Sequence, residues 1–235
     1  MKRNSFAILF RRESLWSPLD IPDCVLWLDA AQISGLSDGD PVTSWPDMSG
    51  LGNHAVEAVN PPTYKTSIQN GLPIVRFDGA DRLTVASFAT NNFGGITQMT
   101  TFVIYNPRGD TGYNVLDLGA IGQHWRFVDG GFYCSYFRGT RSVNDPPGQP
   151  ADSNFHYHTL RSGPVGAYDI WRNGVGGSEY AQSWGVASDD LVIANGGDGG
   201  GLAGDIAEIL IYARELSDDE VATVETNIPQ AKWDL

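Results

Sequence analysis

A strand that runs into a tight turn decides the fold class, and it lies in the stretch AYDIWRNG at residues 167–174. Its Tyr, Ile and Trp residues favour strands. Asn173 and Gly174 follow directly, and both residue types accept the positive φ angles that a two-residue hairpin turn needs. The stretch therefore predicts an antiparallel hairpin.

Similar short runs lie on both sides of this hairpin, separated by turns rich in Gly, Asn, Asp and Pro. The predicted strands before it are residues 25–28, 42–45, 73–77, 82–85, 99–105, 114–118, 125–128, 132–137 and 155–161, and those after it are 191–194 and 205–212. Strands do not alternate with helices. We therefore expect an all-β, two-sheet antiparallel β-sandwich of the jelly-roll type, for which 235 residues are ample.

One short helix is predicted near the C-terminal end. Ser217 and Glu220 have the spacing of a capping box, in which each side chain bonds the backbone of the other residue. Three apolar residues then recur near helical spacing, namely Val221, Val224 and Ile228. Pro229 is expected to end the helix.

The first 22 residues differ from the rest, so we predict an arm at residues 1–22 and a sandwich at residues 23–235. The arm is basic and carries the apolar run 6–10, which is too short for the roughly 7–15 residues of a secretory signal. It is either a frayed terminus or a segment that docks on a neighbouring subunit. In the second case the contact residues are Lys2, Arg3, Phe6, Phe10, Arg11 and Arg12.

The charge of the chain excludes some partners. Its formal net charge is -13, and an acidic surface repels phosphate, so no nucleic acid is expected. No apolar stretch approaches the length of a membrane-spanning helix, so no membrane contact is expected either. Cys24 and Cys134 form either one disulfide or two buried free thiols.

Three ordered segments carry a resemblance to a known family. They are LWLDA at 26–30 with WPDMSGLGNHA at 45–55, then GLPIVRFDG at 71–79, then GDIAEILIY at 204–212 with Leu216-Ser217 and Lys232-Trp233. In this order residues 24–235 resemble the concanavalin A-like lectin/glucanase (laminin-G-like) family, which recurs in bacterial surface proteins and in phage tail, fibre and head proteins. The resemblance implies a jelly roll but no ligand, because this fold hosts lectins, enzymes and scaffolds alike.

The loop at residues 47–53 has a structural and a functional interpretation. Gly50 and Gly52 allow positive φ, and the side chains of Asp47, Ser49 and Asn53 can bond nearby backbone amides. Some domains that this chain resembles bind calcium, which takes six to eight oxygen ligands. The candidate calcium ligands are Asp47, Asn53 and Glu208. No other cofactor is expected.

The acidic residues do not predict an enzyme. A glycosidase needs two carboxylates about 5 to 10 Å apart, and glucanases of this fold carry a Glu-x-Asp-x-(x)-Glu strand that is absent here. Asp205 and Glu208 are three residues apart, so we expect them on opposite faces of a strand. His156 and His158 share a face but lack a third ligand, so packing within the sheet is predicted for them.

Several aromatic side chains either stack on sugar rings or belong to the core. They are Trp125, Tyr133, Tyr136, Trp171 and Trp184. The sequence does not decide which face of a strand each occupies, and so it leaves the carbohydrate-binding residues unknown.

The sequence as a whole predicts a non-enzymatic virion protein of a phage, as a decoration, head-fibre or tail-associated subunit. A lectin-like sandwich works outside cells, and lysis releases a virion protein that has no signal peptide. Its expected partners are other virion proteins, through the arm, and host surface glycans; a homo-oligomer is compatible with this role. One alternative is an extracellular, free or exported carbohydrate-binding protein, and another is an atypical glycoside-active enzyme of the same fold.

Overall fold

The computed structural model describes residues 16–94, 98–108, 113–117, 124–127, 133–134, 143–144, 153–162, 167–176, 180–181, 190–195 and 200–235. Strands dominate these ranges. In chain order they are β1 (Cys24–Asp29), β2 (Ser44–Trp45), β3 (Ala55–Val56), β4 (Thr63–Gln69), β5 (Leu72–Arg76), β6 (Leu83–Val85), β7 (Met99–Asn106), β8 (Tyr113–Asp117), β9 (His124–Phe127), β10 (Tyr133–Cys134), β11 (Val143–Asn144), β12 (His156–Ser162), β13 (Ala167–Arg172), β14 (Val175–Gly176), β15 (Tyr180–Ala181), β16 (Leu191–Ile193), β17 (Gly200–Gly201) and β18 (Asp205–Tyr212).

Two sheets form the sandwich. The first has the order β14-β13-β12-β7-β18-β5-β4, with β1 paired to β18 and β15 to β13. The second has the order β17-β8-β16-β6-β3-β2, with β9 paired to β8. Their pairs are antiparallel except β17 with β8, and β10 pairs with β11 in a separate ribbon. The predicted two-sheet all-β sandwich is confirmed, as is the hairpin at Asn173-Gly174, whose φ angles are +50° and +73°.

The hydrophobic core has two layers. The inter-sheet layer takes alternate residues from both sheets, such as Leu28 and Val103 from the first and Leu83 and Ile193 from the second. The outer layer covers the other face of the first sheet. Its fully buried side chains include Phe102, Leu210, Tyr212, Val224 and Trp233. The C-terminal helix therefore closes the first sheet from outside.

Two α-helices occur in the described ranges, α1 (Phe88–Phe93) and α2 (Asp218–Glu225). The predicted capping box of α2 is confirmed, because Ser217 and Glu220 each accept from the other's backbone N–H. The prediction that Pro229 ends the helix is wrong in detail. The α-helix ends at Glu225, and residues Thr226–Gln230 form a π-helical turn that contains Pro229.

The last part of the predicted arm packs onto the sandwich. Pro18–Asp20 form a short 3₁₀ helix, and Pro18 and Ile21 are buried. The Tyr212 hydroxyl donates to the Pro18 carbonyl oxygen at 3.1 Å. Residues 1–15 lie outside the described ranges, and with them the six predicted contact residues of the arm.

Cys24 is a buried free thiol at the start of β1. Burial, together with the nearby Asp47 carboxylate, raises its pKa to about 12, which makes it a poor nucleophile. The side chain of Cys134 is not described. Within the ranges given above, no helix is long and apolar enough to cross a membrane.

Candidate functional site

The Asp47 carboxylate holds the loop between β2 and β3 against β1. Its Oδ1 accepts from the backbone N–H groups of Trp27 at 3.0 Å and Ser49 at 2.9 Å. Its Oδ2 accepts from the Ser49 hydroxyl at 2.6 Å and from the Asn53 N–H at 2.9 Å. The Asn53 amide donates to the Val25 carbonyl oxygen at 2.8 Å. These bonds match the structural interpretation of the loop.

The three predicted calcium ligands are not gathered into one shell of oxygens. The Asp47 oxygens already accept four protein hydrogen bonds, and the Glu208 oxygens accept from three N–H donors. Among the described residues no group of three or more His, Cys, Asp or Glu side chains has a metal-binding arrangement. Calcium binding by Asp47, Asn53 and Glu208 thus stays a prediction from the sequence alone.

Glu208 instead fastens the C-terminal segment to the first sheet. Its Oε1 accepts from the Trp27 indole N–H at 2.8 Å, and its Oε2 accepts from the Lys232 ammonium and the Trp233 indole, each at 2.6 Å. The same ammonium lies 2.6 Å from Asp29 Oδ2. Burial, followed by the repulsion of Asp29, raises the pKa of Glu208 to about 7.

The expectation that Asp205 and Glu208 face opposite sides is wrong. The register between β18 and β7 shifts between Ile206 and Glu208. Ile206 and Ile209 belong to the inter-sheet layer and Ala207 to the outer layer, so a β-bulge turns two successive residues outward. Asp205 and Glu208 consequently share the outer face.

This shared face does not make the two carboxylates a catalytic pair in the described structure. Arg76 holds Asp205 through two hydrogen bonds of 2.7 and 2.9 Å. Asp205 is 2% exposed and Glu208 is fully buried. Both side chains are engaged and closed to a substrate, so the arrangement supports a structural role.

The two histidines of β12 pack inside the sandwich, as predicted. His158 Nδ1 lies 3.1 Å from the Tyr105 hydroxyl. His156 Nε2 accepts from the Arg172 guanidinium at 2.7 Å. All four side chains are buried, and this polar cluster belongs to the inter-sheet space.

Of the five candidate aromatic side chains, Trp171 is described. It is partly buried, and the Arg161 guanidinium lies 5.0 Å from its ring centroid. Trp125, Tyr133, Tyr136 and Trp184 have side chains outside the described set.

The outer face of the second sheet is the partly open face of the sandwich. One row of residues crosses it through strand pairing, and we call it the outer row: Ser44, Val56, Thr84, Val192 and Asp117. Its members alternate along their strands with core residues such as Leu83 and Ile193, so they face away from the core. Exposure falls along it from 48% at Val56 to 3% at Asp117.

A second bulge adds Asn114 to this face. Asn114 and Leu116 pair with consecutive residues of β9 and leave Val115 as the extra residue. Val115 and Leu116 both belong to the inter-sheet layer, so Asn114 and Asp117 both lie on the outer face. The open face thus has a polar, deeply buried end on β8. Neither bulge is visible in the sequence pattern, which explains why Asn114 and Asp117 were not among the predicted site residues.

Comparison with known proteins gives a fold and no family. No protein-family model and no curated protein matches the sequence. Botulinum neurotoxin type C, which depends on interaction with two ganglioside molecules to enter cells, superimposes with a TM-score of 0.61 at 13% identity, over 87% of this chain and 51% of the toxin chain. The binding domain of Paraclostridial Mosquitocidal Protein 1 gives 0.59 at 12% identity, over 87% and 52%. Trypanosoma rangeli sialidase, bound to the inhibitor DANA, gives 0.58 at 10% identity, over 85% and 32%.

These similarities concern the fold alone, because the identities are low. The chain spans about half the length of the toxin structures it matches. All three structures share a lectin-like β-sandwich fold with this chain. Membership of the concanavalin A-like family remains a prediction.

Proposed function

We propose that this chain is a non-enzymatic binding module that contacts a glycan, or a receptor that carries one, through the outer row. The observation that carries the proposal is the fall in exposure along the outer row, from 48% at Val56 to 3% at Asp117. A sugar ring fits such a surface, since it presents apolar C–H groups on one side and hydroxyls at its edge.

Two further observations support a binding role. Two of the similar structures are named for a ganglioside interaction and for a binding domain. The sialidase shows that the same architecture also occurs in an enzyme. Here, however, Asp205 and Glu208 on the outer face of the first sheet are buried and held by Arg76 and Lys232.

A glycan array with one pair of variants tests the proposal. Thr84 lies in the middle of the outer row, whereas Thr66 is an exposed residue of the edge strand β4 in the first sheet. We expect Thr84→Arg to abolish binding, because a long charged side chain blocks the row, and Thr66→Arg to bind like the wild type. Equal binding by both variants, or a wild type that retains no glycan, contradicts the proposal. Release of reducing ends from the bound glycans contradicts its non-enzymatic part.

A virion location is a second proposal, and it is supported by the composition of residues 1–15. Four basic residues and the apolar run 6–10 stand at one end of a chain whose net charge is -13. A segment that is both basic and apolar is suited to docking on an acidic partner that has an apolar groove. A subunit of a larger assembly needs a docking segment of this kind.

A further inference from the structure

The Lys232 side chain lies between two buried carboxyl groups on the outer face of the first sheet. Its ammonium nitrogen is 2.6 Å from Asp29 Oδ2 and 2.6 Å from Glu208 Oε2. Asp29 and Glu208 are directly opposite each other in the pairing of β1 with β18, so their side chains share one face. Asp29 is 1% exposed and Glu208 is fully buried. One amine and two carboxyl groups are thus held in contact at a site that is largely closed to solvent.

The two oxygens of Asp29 have different surroundings. Oδ1 accepts from the backbone N–H of Ala31 at 2.9 Å, and Oδ2 faces the Lys232 nitrogen. A fixed N–H donor on one oxygen stabilises negative charge that develops there when a nucleophile adds to the carboxyl carbon. The other oxygen is then the one that can leave. The carboxyl group of Asp29 is therefore oriented for attack by the amine.

Two tryptophans position the carboxyl group of Glu208 beside the same nitrogen. The indole N–H groups of Trp27 and Trp233 donate to its oxygens at 2.8 and 2.6 Å, and the Lys232 nitrogen lies 5.0 Å from the centroid of the Trp233 ring. A carboxyl group within hydrogen-bond distance of a reacting amine can carry its protons. Glu208 is held where it can serve as an acid and a base for Lys232.

We propose that Lys232 and Asp29 condense into an isopeptide bond, with Glu208 as the proton carrier. Glu208 passes one ammonium proton to Asp29 Oδ2, which gives a neutral amine and a neutral acid. The lone pair of Lys232 Nζ then attacks Asp29 Cγ, and the electron pair of the carbonyl bond moves to Oδ1. Glu208 passes a second proton from the nitrogen to Oδ2, the Cγ–Oδ2 bond breaks with its electron pair, and one water molecule leaves. The carbonyl bond re-forms as the amide, and Glu208 returns to its starting state.

Proximity and burial favour this reaction, although free amines and acids barely condense in water. Well-oriented groups reach effective concentrations on the order of 10⁵ to 10⁸ M. The amide also replaces a buried ammonium and a buried carboxylate, which are costly to keep out of water. Lys65 offers a comparison, because its ion-pair partner Asp38 is 49% exposed, against 1% for Asp29. Water solvates the Asp38 carboxylate, so we expect no bond between Lys65 and Asp38.

Mass spectrometry of the intact, folded chain is the first test. After overnight incubation we expect the wild type to be lighter than the mass calculated from its sequence by one water molecule. Trypsin should then release a branched peptide of residues 13–65 joined to residues 215–235, with fragment ions that place the link at Asp29. Cleavage after Lys65 shows that the comparison pair is unlinked. A wild type with the full calculated mass overturns the inference, as does a lighter chain without the branched peptide.

Three variants assign the roles of the residues. Lys232→Arg retains a positive charge but has no amine to condense, so it should keep the full mass. Glu208→Gln should also keep the full mass over the same incubation, because the proton carrier is gone. Lys65→Arg is the matched control and should lose water like the wild type.

The outcomes that contradict each role are distinct. Water loss that persists in Lys232→Arg comes from another site and overturns the inference. Water loss by Glu208→Gln at the wild-type rate overturns the role of Glu208 as proton carrier. If a variant fails to fold, the mass and the branched peptide of the wild type still decide whether the bond forms.

Discussion

At the scale of single residues, the loop at residues 47–53 shows how few atoms position a segment. The Asp47 oxygens accept four hydrogen bonds and tie the loop to β1. Those bonds use acceptor sites that a calcium ion would also need. The sequence predicted that side chains of this loop bond nearby backbone amides, but it could not show that both Asp47 oxygens are used in this way.

Gly50 in the same loop has a φ of +87°, and a side chain there would meet no atom within 4 Å. Substitution therefore tests backbone strain without steric clash. We expect Gly50→Val to lower the free energy of unfolding by about 1 to 3 kcal/mol, because a β-branched residue resists positive φ. Gly50→Asn should cost less, because Asn tolerates this region better. Equal urea midpoints for wild type and Gly50→Val would contradict this account.

At the scale of elements, the long regular strands were predictable and the irregular ones were not. Residues 167–172 and 205–212 were predicted with the observed bounds, because their apolar residues are dense and bounded by turns. β4 (Thr63–Gln69) was missed, since it is an edge strand with polar residues on both faces and a φ of +56° at Ser67. Asp205 and Glu208 were wrongly predicted to lie on opposite faces, because a bulge that depends on pairing with β7 changes the alternation.

The contact between β18 and the C-terminal segment makes the free energy of unfolding depend on pH. Glu208 has a pKa of about 7 in the folded protein against a usual 4.5, through burial and Asp29. The folded state thus retains a proton that the unfolded state releases. The stabilisation is fully present below pH 4.5 and is lost as the pH rises through about 7.

We expect Glu208→Gln to flatten the decline of the unfolding midpoint between about pH 5 and pH 8, because the titrating group is gone. Asp81→Asn is the control, since burial also raises the pKa of Asp81, to about 6. Asp81→Asn should remove only the part of the decline in unfolding midpoint that comes from the titration of Asp81. A Glu208→Gln profile parallel to that of the wild type would show that Glu208 does not take up the proton.

At the scale of the whole molecule, the last residues of the predicted arm pack onto the sandwich. Pro18 and Ile21 are buried against the sandwich and Trp16 packs beside them, so the docking prediction concerns the residues that precede Trp16. We expect deletion of residues 1–15 to leave the unfolding midpoint unchanged and to abolish incorporation into the assembly, which is a virion under the second proposal. Binding of the intact chain to that assembly should weaken with salt, because Lys2, Arg3, Arg11 and Arg12 supply positive charge. Full incorporation of the truncated chain would refute the role of the arm.

The outer layer of the core places the two ends of the described chain on one side. Trp16 and Leu235 both pack against it, on the outer face of the first sheet. The outer row lies across the sandwich, on the outer face of the second sheet. If the chain were attached to a surface or particle by either end, its outer row would therefore point away from that surface or particle. Many copies fixed in this way would face the same target together, so a weak affinity per sugar could become firm multivalent adhesion without any added contact.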